Sequence, residues 1–216
     1  MSVPKRVLDH LKKTKLKFEV VPHKTVYTAF DLAQTLGEKL ENIAKTLLVK
    51  VELPKLSKQG PRYYVVAVPA SYRVDLKAVQ KYLKALRAEL ANEKEMAKLG
   101  ILPGAGTPFV SMYKDVGLLM DHALARVGKG LVRAESFTDS LRVQIKDLIR
   151  TEQALIGKVG SKGKLPKAPK AKKSVKKSKK KFATKAAFKK ASAKGGSASG
   201  GKKIVKKLKK AAKKRK

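Results

Sequence analysis

The strongest constraint on this fold is a change of composition near residue 157. The last acidic residue is Glu152, and residues 157–216 hold 26 of the 53 Lys and Arg residues of the 216-residue chain, with no Asp or Glu. Such a segment buries too little apolar surface to offset about 1 to 2 kcal/mol of backbone entropy per residue, and its charges repel one another. We therefore predict a folded domain over residues 1–156 and a disordered Lys-rich tail over residues 157–216.

Composition narrows the class of protein further. The chain has no Cys, which excludes disulfides, a thiol nucleophile and thiolate metal ligands. The N-terminal residues are charged throughout and lack the apolar core of a signal peptide. No apolar run approaches the roughly 20 residues that cross a bilayer. We expect a cytoplasmic protein that uses no metal and no cofactor and has no membrane partner.

Apolar spacing and capping residues predict the helices. Thr28, with Asp31 three residues later and Gly37 as a stop, is typical of a helix N-terminus. Asp75 and Asn92 stand at the start of two further helical patterns. The helix that starts at Asp75 carries the apolar stripe Leu76, Val79, Leu83 and Leu86. Further helices are predicted from Val7, Leu8 and Leu11, from Leu40, Ile43 and Ala44, and from KDLIRTEQALI near the end of the domain.

The strand patterns place a sheet at the centre. YYVVAVPA is almost continuously apolar and rich in β-branched and aromatic residues, which predicts a strand buried on both faces. LKFEVV, TLLVKVE and SLRVQI predict further strands. Because strands and helices alternate along the chain, we predict an α/β (α+β mixed) single domain with a central mixed β-sheet flanked by helices.

Few residues belong to patterns typical of catalytic or ligand-binding sites. Lys45 lies between apolar residues, where a helical pattern changes to a strand pattern. It is either a lysine whose aliphatic part packs on apolar neighbours while its ammonium is solvated, or a functional residue. GAGTP, Gly104 to Pro108, is an ordinary tight turn or a loop whose backbone N–H groups approach a ligand. VGKGLV lacks the upstream glycine and the Ser/Thr of a phosphate loop. Asp121 and His122 are adjacent and indicate a surface turn.

Five stretches follow one another along the chain: PHKTVYTAFDLAQTLG, ENIAKTLLVK, YYVVAVPASYRVDLKAV, GAGTPFVSMY and SFTDSLRVQIKDL. Together and in this order they resemble the YbaK-like family, the aminoacyl-tRNA deacylases related to the editing domain inserted in bacterial prolyl-tRNA synthetase. In the same order, these stretches look like five features of the family. The features are a helix start with Tyr-Thr-Ala, an Ala-Lys-Thr/Val segment, a strand followed by Pro and Arg-x-Asp-Leu, a Gly-x-x-x-Pro loop, and a closing strand and helix.

The resemblance implies a fold, an activity and a site. Lys45 matches the family's essential lysine, and Gly104 and Pro108 match the Gly-x-x-x-Pro loop, so these three are the catalytic candidates. The resemblance places four further residues near the substrate: His23, Tyr27, Thr28 and Gly106. Thr28 also has an adequate explanation as a helix cap. The implied function is a trans-editing hydrolase that removes a small amino acid, such as Ala, Cys or Ser, from a mischarged tRNA.

Two positions depart from the family pattern. Many relatives have a glycine after the Pro-Phe of the loop, where this chain has Val110, and an Ala-Gly step before the last strand, where it has Ala134-Glu135. We expect the second change to put a carboxylate where a backbone was free to approach the substrate.

The tail suggests a partner. Lysines that neutralise phosphates release counterions and give salt-dependent affinity with little sequence preference. We expect the tail to bind tRNA phosphates while the pocket holds the acceptor end. The alternative is a non-catalytic nucleic-acid-binding protein, whose deacylase-like body is a binding or regulatory module and whose histone-like tail binds DNA or RNA.

Overall fold

The computed structural model describes residues 3–54 and 62–163. The helices are α1 (Lys5–Thr14), α2 (Ala29–Leu36), α3 (Leu76–Tyr82), α4 (Glu93–Lys98), α5 (His122–Ala125) and α6 (Ile145–Thr151). The strands are β1 (Phe18–Pro22), β2 (Ala44–Glu52), β3 (Arg62–Pro69), β4 (Tyr72–Val74), β5 (Arg87–Leu90), β6 (Val116–Asp121), β7 (Lys129–Arg133), β8 (Asp139–Gln144), β9 (Leu155–Gly157) and β10 (Gly160–Lys162).

A five-stranded sheet in the order β5-β2-β3-β6-β9 forms the centre of the domain. β2 pairs antiparallel with both β3 and β5, whereas β3 pairs parallel with β6 and β6 parallel with β9. The sheet is therefore mixed, as predicted. β3 lies in its middle, and Val65 to Val68 are all buried, which confirms the prediction from YYVVAVPA.

Apolar residues cover both faces of this sheet. One face carries Ala44, Leu48 and Val65 and packs in a cluster with α1 and α6. The other face carries Val49 and Val66 and packs with α3 and Val159. Residues of opposite parity in β2 thus serve opposite clusters, as the two-residue period of a strand requires.

Two smaller sheets complete the fold. β1, β8 and β7 form an antiparallel three-stranded sheet, and β10 pairs with β4. An isolated bridge between Ile43 and Leu131 links the start of β2 to β7. α2 packs into a third apolar cluster around these two residues.

The predicted caps are confirmed. The side chains of Thr28 and Asp75 accept hydrogen bonds from backbone N–H groups at the starts of α2 and α3. Asn92 and Glu95 form a reciprocal capping box at α4. Gly37 ends α2 in the left-handed conformation, with φ of 64°.

Three helix predictions need correction. Residues 40–42 form only a short 3-10 turn, because Ala70 N–H donates to the carbonyls of Leu40 and Ile43 and the chain enters β2. α3 ends at Tyr82, since Lys84 has φ of 51° and Leu86 N–H pairs with Glu52 O, which leaves the Leu86 side chain exposed. α6 ends at Thr151, and the ALI that follows enters β9.

The fold continues beyond the boundary expected at residue 156. β9 and β10 extend to Lys162, so residues 157–163 belong to the folded part and not to the tail. The composition argument placed them in the tail because short strands completed by partners elsewhere have no local signal. Residues 164–216, which carry the predictions of disorder and phosphate binding, lie outside the described residues, as do residues 55–61 of the connection before β3. None of the helices in the described ranges is long and apolar enough to cross a membrane.

Candidate functional site

A pocket of about 230 Å³ lies beside the first residues of β2. β5 pairs with β2 only over Val49–Glu52, so no strand in the described part of the chain pairs with this edge of β2 over residues 44–47. This free edge forms one wall of the pocket. The lining residues are Tyr27, Thr28, Ala29, Phe30, Leu32, Ile43, Ala44, Lys45, Thr46, Leu47, Gly104 and Arg133. Four of the seven residues predicted from the sequence, Tyr27, Thr28, Lys45 and Gly104, therefore meet at one place.

Lys45 is the second residue of β2 and not a residue at a helix end. Its side chain is half-buried on the sheet face of Val49, and its ammonium donates a hydrogen bond to the carbonyl of Tyr72. Burial, and next the positive charge of Arg73, lower the pKa of Lys45 below its ordinary value of 10.5. The lysine therefore carries a charge that its surroundings only partly solvate.

The loop from Gly104 to Pro108 is tied to β2 by one side-chain hydrogen bond. Thr46 Oγ1 donates to Gly106 O at 2.7 Å. Gly104 has φ of 77°, a conformation that L side chains rarely adopt, and a Cβ there would lie 3.6 Å from Phe137. Gly104 lines the pocket, whereas Pro108 is buried behind it and does not. Gly106 lines an adjacent cavity of about 170 Å³ that shares Thr46, Leu47 and Gly104 with the first.

His23 lies outside the pocket lining. Its Nδ1 lies 2.8 Å from the carbonyl of Lys24 and its Nε2 2.9 Å from Ser140 Oγ. In the neutral ring Nδ1 therefore donates to the carbonyl, and Nε2 accepts from the Ser140 hydroxyl. This arrangement holds the segment before α2 against β8.

Tyr27 and Thr28 stand at the pocket mouth. Tyr27 is 68% exposed and its ring lies 5.1 Å from that of Phe137. Thr28 Oγ1 accepts from Asp31 N at 3.1 Å and donates to Asp31 Oδ2 at 2.7 Å. Capping accounts for every polar contact of Thr28, so its place in the lining follows from the position of α2.

Arg133, in β7, is a pocket residue that sequence reasoning missed. It is only 7% exposed, and its Nη1 donates to Val26 O at 3.1 Å and to Ser136 O at 3.3 Å. Its Nη2 is buried and has no hydrogen-bond partner among the described residues. Burial lowers the pKa of Arg133 below the ordinary value. The available signal in the sequence is an arginine inside the apolar strand pattern GLVRA.

The pocket is positive. Lys45 and Arg133 both line it, and no carboxylate does so among the described residues. Asp31, the acidic group that acts on the Arg133 charge, is itself exposed and accepts from Thr28. A site with cationic donors and no acid fits a substrate group that is or becomes negative.

The Glu135 carboxylate was expected to lie at the substrate, and the structure places it elsewhere. The φ of 55° at Glu135 explains why glycine suits this position, but its carboxylate is buried and accepts from Arg6 Nε and from the Tyr113 hydroxyl. It does not line the pocket. Val110, the other departure, is buried at the start of a 3-10 turn.

The prediction of a surface turn at Asp121 and His122 is wrong for Asp121. It is 2% exposed and is not part of a surface turn; its carboxylate accepts from the N–H groups of Ala123, Val159 and Gly160. His122 beside it is exposed. Within the described ranges, no three His, Asp or Glu residues group in a way that could hold a metal ion.

Comparisons with known proteins agree with this architecture. The prolyl-tRNA editing protein ProX of Acetoanaerobium sticklandii is 24% identical over 110 residues, which cover 50% of this chain and 63% of that protein. The crystal structure of a hypothetical protein matches with a TM-score of 0.64 at 21% identity, covering 73% of this chain and all of the other. A structure described as a candidate trans-editing enzyme for prolyl tRNA synthetase matches with a TM-score of 0.60 at 20% identity, covering 73% of this chain and 96% of the other.

A family model places the chain. The model of the aminoacyl-tRNA editing domain matches residues 23–151, which span the helix start at Thr28, Lys45, the Gly104 loop, Arg133 at the end of β7 and Glu135 just after it. This match covers more than half of the sequence. The chain belongs to the aminoacyl-tRNA editing domain family.

Proposed function

We propose that this protein is a trans-editing hydrolase that deacylates mischarged aminoacyl-tRNA. The observation that carries the proposal is the meeting of Lys45 and the Gly104 loop in one positive pocket of an editing domain. An aminoacyl-tRNA ester is an activated acyl group. Its hydrolysis needs positioning and stabilisation of negative charge more than it needs a covalent nucleophile.

In the proposed reaction, a water oxygen attacks the acyl carbonyl and the bond to the terminal ribose oxygen breaks. The negative charge that develops on the carbonyl oxygen faces the Lys45 ammonium and the N–H groups of the loop that contains Gly104. The proton of the attacking water ends on the ribose oxygen. The adjacent hydroxyl of the same ribose is the proposed relay, since no His, Asp or Glu in the described part of the chain lines the pocket.

The pocket volume favours a small acyl group. About 230 Å³ admits a small amino acid beside the terminal ribose, with Leu32 and Ile43 among the walls. A single methylene in such a wall discriminates by only about 1 to 3 kcal/mol. We propose an amino acid such as Ala, Cys or Ser on a non-cognate tRNA, and the cytoplasm, where such tRNAs arise, as the compartment.

The Lys-rich tail would raise the affinity for tRNA without reading its sequence. Removal of residues after Gly163, which keeps β10, should raise the KM for charged tRNA and flatten its salt dependence with little change in kcat. Kinetics at several KCl concentrations measure this effect. An unchanged KM at low salt would contradict it.

The test of the proposed function is deacylation of a panel of mischarged tRNAs by wild type and Lys45→Ala. Loss of one stabilising donor predicts a fall of roughly 10²- to 10³-fold in kcat. Lys50→Ala is the matched control, because Lys50 lies in the same strand but pairs with Glu95 at 2.8 Å, away from the pocket. Circular dichroism checks that both variants fold.

Hydrolysis of one or two acyl-tRNAs, lost only in Lys45→Ala, would support the editing function. A wild type that hydrolyses none, and binds duplex DNA as tightly as tRNA, would replace it with the alternative of a nucleic-acid-binding protein.

A further inference from the structure

A further cavity, of about 450 Å³, opens at the end of the central sheet where β6 stops. Three of its residues carry exposed cationic or titratable groups: His122, Arg126 and Lys158. The remaining lining residues are Tyr72, Asp121, Ala123 and Gly160. We call this cavity the β6 groove.

The β6 groove and Lys45 lie at the same end and on the same face of the sheet. Lys45 pairs with Val68, and the pairing of Ala67 with Met120 places Asp121 next to Val68. Two strand spacings therefore separate Lys45 from the groove, about 10 Å. That span corresponds to roughly three stacked nucleotides of one strand at ~3.4 Å each.

Tyr72 connects the two places directly. Its carbonyl accepts the hydrogen bond of the Lys45 ammonium, and the same residue lines the β6 groove. Arg73, the next residue, is exposed and acts on the charge of Lys45. Tyr72 thus contacts the pocket lysine through its carbonyl and forms part of the groove.

Among the described residues, Asp121 forms no ion pair with the cations of the groove. Asp121 is 2% exposed, and its two carboxylate oxygens already accept three backbone N–H groups at 2.8 to 2.9 Å. Arg126 and Lys158 have no ion-pair partner among the described residues. Their charges are left to meet an anion from solution.

We propose that the β6 groove binds the backbone phosphates of the last nucleotides at the 3′ end of the tRNA, through Arg126 and Lys158. The inference rests on the proposed function, because it assumes that the ester lies at Lys45. Phosphate contacts of this kind position a strand and carry no sequence information. The groove would thus hold the 3′ end in register while the pocket selects the acyl group.

The path of the chain agrees with this role. Gly163 N–H donates to Ser71 O at 3.0 Å, beside Tyr72 and Arg73, and the sequence continues with the Lys-rich segment. The last described residue, Gly163, is therefore held at Ser71, the residue before the groove residue Tyr72.

The experiment measures coupling between protein charges and individual phosphates in the full-length protein. Binding of uncharged tRNA is compared with binding of a tRNA whose last three linkages are neutral methylphosphonates. Arg126→Gln combined with Lys158→Gln is the groove variant. Lys12→Gln combined with Lys13→Gln is the charge-matched control, because these residues are exposed on α1, which packs on the opposite face of the sheet.

We expect the groove variant to bind normal tRNA about tenfold more weakly and to lower the salt slope by roughly 1.4, since each single-strand phosphate contact contributes ~0.7. Wild type should lose a similar factor on the modified tRNA, and the groove variant should lose almost nothing further. The control variant should still distinguish the two tRNAs as wild type does.

The proposal would be overturned if the groove variant bound both tRNAs more weakly than wild type by the same factor. The two charges would then act on the tRNA without contacting the last three phosphates. Binding is measured without hydrolysis, so an inactive wild type would defeat the proposed function and leave this test decisive.

Discussion

Buried charges are treated in opposite ways in two regions of this domain. Beneath α1, Glu135 accepts from Arg6 and Tyr113, and Glu152 accepts from His10 at 2.8 Å and from the N–H and hydroxyl of Ser111 at 2.8 Å. In the pocket, Lys45 and Arg133 face no carboxylate among the described lining residues.

The difference separates stability from function. Breaking a paired buried charge leaves its partner uncompensated, which is costly to the fold. A buried cation without an anionic partner lowers the stability of the folded state. Such cations are typical of functional sites, where an anionic ligand supplies the missing partner. The α1 clusters should therefore matter for folding and the pocket cations for hydrolysis, and three predictions test that separation.

Glu152→Ala should give the largest loss of stability, about 3 to 5 kcal/mol, because it leaves His10 and two donors of Ser111 without their acceptor. Urea unfolding followed by circular dichroism measures it. Asp147→Ala, which breaks an exposed pair with Arg150 on the same helix, is the control and should cost no more than ~1 kcal/mol. Similar losses in both variants would contradict the assignment.

Arg133→Met should act on hydrolysis instead. We expect kcat/KM to fall about tenfold, with a change in the free energy of unfolding within ~1 kcal/mol, since removal of an unpaired buried charge offsets the loss of its two hydrogen bonds. Arg142→Met in the neighbouring strand removes an arginine paired with Glu38 at 2.9 Å and should leave hydrolysis intact. Unchanged kcat/KM in Arg133→Met would remove Arg133 from the site.

The smallest effect concerns pH. Lys45 stabilises an anion only when protonated, and its pKa lies below 10.5 through burial and the charge of Arg73. The protonated form exists below that pKa, so kcat/KM should fall as pH rises through it. Arg73→Gln removes the repulsion and should move this fall to higher pH. Profiles corrected for spontaneous ester hydrolysis measure the shift, and a fall at the same pH in both proteins would contradict a role for the Lys45 charge.

The sequence predicted correctly the features that depend on residues close together in the chain. The caps at Thr28, Asp75 and Asn92 and the buried strand β3 follow from side chains near in sequence. The turn at residues 40–42, the end of α3 and the strands β5, β9 and β10 did not follow, because hydrogen bonds from distant backbone decide them. The family resemblance supplied Lys45 and Gly104, which periodicity alone left open.

By itself, the sequence determined a mixed α/β domain followed by a Lys-rich segment, since composition and side-chain period act along the chain. Only the tertiary structure decided which charges are paired. Glu135 looked like a change at the substrate and proved to bind Arg6 and Tyr113, whereas Arg133 looked like an ordinary strand residue and lines the pocket. The physical reason is that the cost of a buried charge depends on partners far away in sequence, which folding alone brings within hydrogen-bonding distance.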